Sequence, residues 1–556
     1  MTEYHPDRVG LGCILVCWGI VFLCVPAPAD EDARTKAESV FQELYGERLE
    51  AAEKTRDAED DLKLAQEMIG AAERLDPKAH PDLVGMIYTT AARLAVRADA
   101  ADGTAAKVLG LLEKNFPHRR IDALQIRSEI LYRDLVAKKK RNDALEEGPD
   151  RKQRREWAEI GLNLVNTLEE LAAVQNAEGR PAEAIDALGK AVELAEDIEM
   201  VPSHLKALAG QYRSRVALLK DAASLQEALE RNPRNLRARM QMIRLCIVGI
   251  DDPGRAAKWM TPRVPEPWLT YVPLAGIPTG ELSDQQCYQL ANWYHSLARK
   301  APETDRTALL RRAAACYQGF LKKHEKVDTQ VARAKVALNS LTELLPQSSS
   351  DGKHLGKPGQ QVELLDQVIP PLDVIRGKWK RTENGLAALA YTGCTYGRLM
   401  RIPVVVKGDY ELTALFARID DRREIIFTIP VGDHSVTVFP ETFRNAAGIG
   451  MINDVDGCQN ETSIRCTLVK KKAYRLAITV RDTGTKKVSI EVKLNGKRFL
   501  DWQGDPEALK PPPRADVKKK GIIGFGSYRS TVIFRSIKIR LLDETGSLER
   551  TRKQPR

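Results

Sequence analysis

The spacing of apolar residues changes once along this chain, and that change restricts the fold more than any other feature. Up to about Leu345, apolar side chains recur every three or four residues; from about Ile402 to Leu541 many runs alternate apolar and polar. The first spacing puts one stripe on a helix, the second puts one face of a strand against a core. Between the two lies Gln347-Ser-Ser-Ser-Asp-Gly-Lys-His-Leu-Gly-Lys-Pro-Gly-Gln360, a linker by composition. The fold class expected is therefore multidomain: an N-terminal all-α region followed by an all-β antiparallel sandwich.

The helical stripes are explicit. Trp157, Ile160, Leu164, Leu168 and Leu171 form one; Leu62, Ala65, Met68, Ile69, Ala72 and Leu75 form another, stopped by Asp76-Pro77. Leu290, Trp293, Tyr294 and Leu297 read as the core of a helical hairpin, the alternative being an aromatic groove. Pro262, Pro265, Pro267, Pro273 and Pro278 predict an extended connector over 261–280, because each proline removes a helix donor. The stretch Leu168–Ile198 (LEELAAVQNAEGRPAEAIDALGKAVELAEDI) resembles a tetratricopeptide unit, with Leu171 and Ala172 on its first helix, Gly179 at the turn, and Ala184 and Ala191 on its second. That resemblance implies a tetratricopeptide-like helical-repeat scaffold whose hollow face holds a protein partner.

The expected organisation is 1–29 signal peptide or membrane anchor, 30–260 tetratricopeptide-like helices, 261–280 connector, 281–346 helical hairpins, 347–362 linker, 363–542 sandwich and 543–556 basic tail. The stretch Val9–Val25 carries no charge, Arg8 precedes it, and Ala27-Pro-Ala29 offers small residues for cleavage. Left uncut, the run to Ala29 is near the length that spans a bilayer core. Either way the chain is expected to be exported: periplasmic, secreted or anchored on the outer side, with membrane contact only through an uncleaved N-terminal segment. The net charge of +10 lies in short runs such as Lys138-Lys-Lys-Lys-Arg141 and Lys518-Lys-Lys520. These are read as solvated faces, so no nucleic acid is expected.

In the β-half, Lys407-Gly-Asp-Tyr-Glu-Leu412, Ile429-Pro-Val-Gly432, Tyr474-Arg-Leu-Ala-Ile-Thr-Val480, Leu494-Asn-Gly-Lys497, Asp501-Trp-Gln-Gly504 and Val532-Ile-Phe-Arg-Ser-Ile-Lys-Ile539 follow one another. That order resembles the concanavalin A-like, laminin-G-type jelly rolls of exported bacterial proteins, related in fold to the 3-keto-disaccharide hydrolases. The resemblance covers about residues 365–541. It implies a jelly roll with its last strand beside its first, and carbohydrate as the ligand class. The hydrolases' Asn-Ser-Gly phrase and Tyr-Glu-x-Gln-x-x-Asp phrase are both missing, and apolar Ile429-Pro-Val-Gly432 stands where their polar residues belong.

Candidate ligand residues follow from side-chain chemistry. Trp502 offers a broad apolar plate for a sugar ring, or else closes an edge of the core. Arg418, His434 and Asn460 offer hydrogen bonds to hydroxyls. Asp454 and Asp456, in the polar loop Asn453–Thr462, offer oxygens to calcium, although the same residues suit a turn; no other cofactor is expected. Cys458 and Cys466 flank that loop and are candidates for a disulfide, or remain two thiols. The carboxylates Asp409, Glu411 and Glu424 lie in or beside strands, with no spacing that marks a catalytic pair. The function expected is an exported, non-enzymatic scaffold and carbohydrate- or surface-binding protein. A glycoside-active enzyme built on the same sheet is the alternative, and it requires an open face with converging carboxylates.

Overall fold

The structure, a computed structural model, describes residues 28–55, 57–98, 103–145, 148–326, 328–344, 354–390, 397–420, 424–442, 444–484 and 486–552. The expected signal or anchor segment lies almost wholly outside these residues. Among the described residues no helix is long and apolar enough to cross a membrane. The chain divides into two compact units, residues 1–130 and 131–556.

The first unit holds α1 (Pro28–Thr55), α2 (Ala58–Ala72), α3 (Pro81–Arg97), α4 (Thr104–Asn115) and the start of α5 (Arg120–Asp143). Its core is made by the stripes read from the sequence: Ala65, Met68 and Ala72 of α2 meet Val84, Ile87, Ala91 and Ala95 of α3, all buried. Asp61, itself buried, accepts from Arg97 Nε at 2.5 Å, so a charge inside this hairpin is neutralised where it sits.

The second unit begins in α5 and continues with α6 (Arg151–Ala177), α7 (Pro181–Asp197), α8 (Ser203–Arg231), α9 (Leu236–Arg244), α10 (Pro253–Ala257), α11 (Trp268–Ala275), α12 (Asp284–Lys300), α13 (Glu303–Lys323) and α14 (Thr329–Leu344). Leu168–Ile198 forms a hairpin of α6 on α7, turning where Gly179 takes φ +80°. The connector expected over 261–280 is partly helical: α11 lies inside it, with Pro267 as its N-cap and Pro273 within it. Burial of Trp268, Val272 and Ala275 outweighs the one backbone bond Pro273 cannot make. Trp268 packs edge-on to Trp293 at 5.5 Å, and Tyr271 stacks on Trp293 at 5.4 Å, which places the α12 aromatics in a core rather than a groove.

The sandwich opens with β1 (Gln361–Glu363), α15 (Pro370–Asp373), β2 (Val374–Arg376), β3 (Lys378–Thr382) and β4 (Gly385–Leu389). It continues through β5 (Arg398–Lys407), β6 (Tyr410–Arg418), β7 (Glu424–Val431), β8 (His434–Glu441), β9 (Ala446–Gly450) and β10 (Ile464–Arg465). It closes with β11 (Ala473–Asp482), β12 (Val488–Leu494), β13 (Lys497–Gly504), β14 (Ile522–Tyr528), β15 (Val532–Leu541) and β16 (Ser547–Arg550). One sheet runs β13–β12–β11–β6–β15–β4–β3 with β1 beside β15; the other runs β10–β9–β8–β7–β14–β5–β16 with β2 beside β5. The described pairings are antiparallel, and the returning β15 lies against both β1 and β4, as a jelly roll requires. Asn495 (φ +51°) and Gly496 (φ +80°) make the tight turn between β12 and β13.

Two boundaries differ from expectation. The tail from 543 is not free: β16 pairs with β5, Leu548 is buried in the sandwich core, and Arg552 donates to Asp373 Oδ1 at 2.6 Å. The end of the linker is likewise held, since Leu355 is buried and its N–H donates to Leu548 at 2.9 Å. An edge of the sheet captures both because its unpaired backbone groups need partners. The sandwich keeps its own core, separate from that of α8–α14. It is nevertheless fastened to the helices: Arg151 of α6 donates to the Ile375 carbonyl at 2.6 Å, and Arg381 of β3 donates to the Glu199 carbonyl at 3.1 Å.

Candidate ligand-binding face

The strand period decides which side chains leave the sandwich. In the second sheet, Met400, Ile402, Val404, Ile425, Phe427, Ile429, Val436, Val438, Ile523 and Phe525 point inward. Leu399, Ile426, Phe439 and Ile522 point the other way, and they too are buried, around Ala515 and Val517. The cover is the chain itself. Residues 513–517, which begin at the last proline of Pro511-Pro-Pro513, pack on the outer face of this sheet as a strap.

Specific bonds hold the strap. The Thr428 hydroxyl donates to the Ala515 carbonyl at 2.7 Å, and Arg376 donates to the Arg514 carbonyl at 2.7 Å. Arg514 reaches from the strap between two carboxylates, donating from Nε to Glu424 at 2.7 Å and from its terminal nitrogen to Asp456 at 2.8 Å, over the ring of Phe439. Burial pushes the Glu424 carboxyl above its usual range while Arg514 opposes the rise. Burial also acts against the Asp456 carboxylate, but Arg514 and the Cys458 N–H outweigh it and hold that group low. Two carboxylates therefore converge on this face, and a guanidinium of the same chain occupies the space between them.

The residues chosen from sequence fall into the framework around that strap. Arg418 ends β6 with only 2% of its side chain exposed; it donates to the carbonyls of Asp420 at 2.9 Å and Leu468, and its Nε lies 3.2 Å from Glu441. Trp502 is in the core with its indole N–H donating to Glu461 at 2.9 Å, so it closes an edge of the sandwich. The Asn460 amide donates to the Ile449 carbonyl at 2.6 Å and accepts from the Thr462 hydroxyl at 2.7 Å, tying its own loop to β9. His434 stands half-buried opposite Val431 at the β7–β8 turn.

Asp454 is paired with Lys510, and Asp456 with Arg514. A calcium ion at this loop would have to displace both cations, and among the described residues no group of three metal-ligating side chains is gathered. Cys458 and Cys466 are free thiols. Cys466 packs on the sandwich core, where burial and Glu441 push its thiol up to about 11, whereas Cys458 stays in the turn at Asp456. The chain that separates them turns at Ser463, whose hydroxyl donates to the Cys458 carbonyl, and β10 carries the rest away along β9.

The outer face of the first sheet is different. There Glu411, Thr413, Thr479, Ala477, Ser489, Glu491 and Lys493 alternate with core residues and are partly or fully exposed. Pairing register aligns them in rows. One row is Asp501, Glu491, Thr479, Glu411, Arg540; the next is Arg498, Lys493, Ala477, Thr413, Lys538. Five strands at the usual spacing make each row roughly 19 Å long. Acid and base pair off: Arg540 with Glu411 at 3.2 Å, Lys493 with Glu491 at 3.2 Å, and Arg498 with Asp501 at 2.7 Å. The middle positions, Thr479, Ala477 and Thr413, are small. In side-chain size the face is thus a trough, floored by hydroxyls and methyls and flanked by charged side chains, with Lys538 adding a cation beyond these three pairs.

No protein-family profile and no curated protein matches this sequence. Among solved structures, an alginate lyase is 11% identical, covering 33% of this chain and 98% of its own, with a TM-score of 0.23. A galectin of Caenorhabditis elegans is 11% identical, covering 29% and 92%, with a TM-score of 0.18. An endo-β-1,4-glucuronan lyase of Trichoderma reesei is 10% identical, covering 33% and 87%, with a TM-score of 0.20. At these scores the likeness says nothing about what this chain does.

Of the residues in the trough, only Glu411 drew notice in the sequence, as one carboxylate among several. Its neighbours were hidden because they come from strands that are not consecutive. A search for alternating strands with small residues at matching outward positions would have found Thr413, Ala477 and Thr479.

Proposed function

We propose that this chain is a non-catalytic binding protein whose sandwich meets a hydroxyl-rich, carbohydrate-like ligand on the outer face of its first sheet. The observation that carries the reading is the strap. It packs on the outer face of the second sheet and places Arg514 between Glu424 and Asp456, where an acid and a base for glycoside chemistry would need open space. The outer face of the first sheet, by contrast, keeps its trough exposed.

Its groups suit hydroxyls. Carboxylates accept and lysine and arginine donate, so neighbouring pairs such as Glu491 and Lys493 match the donor–acceptor character of a diol. Because the three pairs are neutral in sum and Lys538 adds a single positive charge, the fit is to a chain of little charge. Without a stacking aromatic the affinity is expected to be modest, roughly millimolar to micromolar.

The test is a glycan array followed by calorimetry on the full chain, beside Thr479→Arg, which fills the trough without touching the core. Binding by the parent chain and its loss in Thr479→Arg support the reading. Silence across neutral glycans, or binding that Thr479→Arg leaves intact, removes it. Release of reducing or unsaturated ends by the purified chain would restore the enzymatic alternative.

A further inference from the structure

The helical part of the second unit holds a groove of about 950 Å³ between α12, α13 and α14. That lies near the top of the ~300–1,000 Å³ range of sites that take a ligand. Its basic side chains come from all three helices: His295 and Arg299 from α12, Arg306 from α13 and Arg333 from α14. Among the described side chains that line it there is no aspartate or glutamate. Burial and the nearby Arg299 push His295 below its usual value, so the arginines carry the charge at neutral pH. Between them the floor is apolar, made of Ala298, Leu310, Ala332 and Ala337, and Val336 stands 67% exposed beside it.

We infer that this groove binds an acidic segment of a partner protein, seated by one apolar side chain against Val336 and Leu310 and by carboxylates against Arg299, Arg306 and Arg333. Three guanidiniums around a greasy floor match alternating carboxylates and an apolar anchor, because each arginine can take a carboxylate through two parallel bonds. An isolated polyanion would satisfy the charges but leave Val336 in water. The chain's own continuation is a poor occupant. Beyond Leu345, the stretch Pro346-Gln-Ser-Ser-Ser-Asp-Gly-Lys353 carries one acid and one base and no large apolar residue. The surface is also independent of the trough on the sandwich, so either can stand without the other.

The test is fluorescence anisotropy with a labelled peptide alternating glutamate and leucine, titrated with the full chain at low and physiological salt. A lysine–leucine peptide serves as the control. The parent chain is expected to bind the acidic peptide alone, and less tightly as salt rises. Arg299→Glu with Arg333→Glu should weaken it by roughly tenfold or more, and Val336→Asp by several-fold, with helix content unchanged by circular dichroism. Equal binding by the parent and the double variant overturns the proposal. So does a heparin fragment that binds as tightly as the peptide and ignores Val336→Asp, which would make the groove a general anion sink. Glycan binding should be untouched by these variants.

Discussion

Replacing Arg418 by leucine separates an architectural arginine from a ligand-binding one. The side chain is 2% exposed and its partner Glu441 is fully buried, with Nε and carboxylate 3.2 Å apart. Glu441 also accepts from the Leu468 N–H at 3.2 Å, while Arg418 donates to the Leu468 carbonyl, so the pair closes the end of the sandwich over that residue. Removing only the cation leaves a buried carboxylate without its counter-charge, which costs about 3–5 kcal/mol. Removing both charges with leucines leaves the Leu468 N–H and the Leu468 and Asp420 carbonyls unmet but no buried charge, so the double variant should recover about 2 kcal/mol of the summed single losses. Hydrogen exchange is the suitable assay, because the sandwich and the helices keep separate cores and one global transition would mix them. Peptides from β6 and β8 should exchange faster in Arg418→Leu, and more slowly again in the double variant. Protection within about 1 kcal/mol of the parent, together with lost glycan affinity, would refute the structural role and return Arg418 to the ligand.

Three further outcomes are expected. A Cβ at Gly524 would stand 2.3 Å from Val517 Cγ1, so Gly524→Val should loosen the strap at about 1–3 kcal/mol, and trypsin should cut faster at Lys518–Lys520. His324 donates to the Asp284 carboxylate at 2.7 Å and to the Asp328 carboxylate at 3.1 Å, and the Asp284 bond first, then Asp328, raise its pKa above the ordinary imidazole value. Its contribution is thus complete below the unfolded value and lost as pH rises through the folded one. The melting temperature of the helical part should fall over that window in the parent chain and stay flatter in His324→Gln. Gly496→Ala forces a side chain to φ +80° in the β12–β13 turn, and equilibrium unfolding should show a loss of about 1–2 kcal/mol.

The fold was legible where local chemistry and burial agree. Alternation gave the strands because one face of each sheet meets a core, and Asn495-Gly496 gave its hairpin because both residues accept positive φ. Two segments escaped for the same reason. The five prolines of 261–280 predict an extended connector, yet Trp268 and Val272 bury enough surface to hold a short helix around Pro273. Residues 547–550 passed for a tail because four residues show no period, but an open strand edge needs only backbone groups to recruit them. Tertiary partners decided both.

The proposed ligand face is harder to see in the sequence for a reason that residue type alone cannot repair. A tryptophan or arginine in a β-rich stretch attracts attention because each is suited to binding. Both are equally suited to closing a sandwich, and here Trp502 and Arg418 do that. The trough is made instead from threonines and alanines that carry no signal singly. It exists because β11 lies between β12 and β6, which sets Thr479 beside both Glu491 and Glu411. Glu491 and Lys493 are two apart on one strand, and their shared face follows from period alone. Arg540 and Glu411 meet only because β15 returns beside β6, and a one-residue slip there would turn one of them inward. Any ligand specificity on this face is therefore a property of strand order and register, and a substitution that shifts β15 by one residue should abolish binding while leaving every side chain of the trough in the sequence.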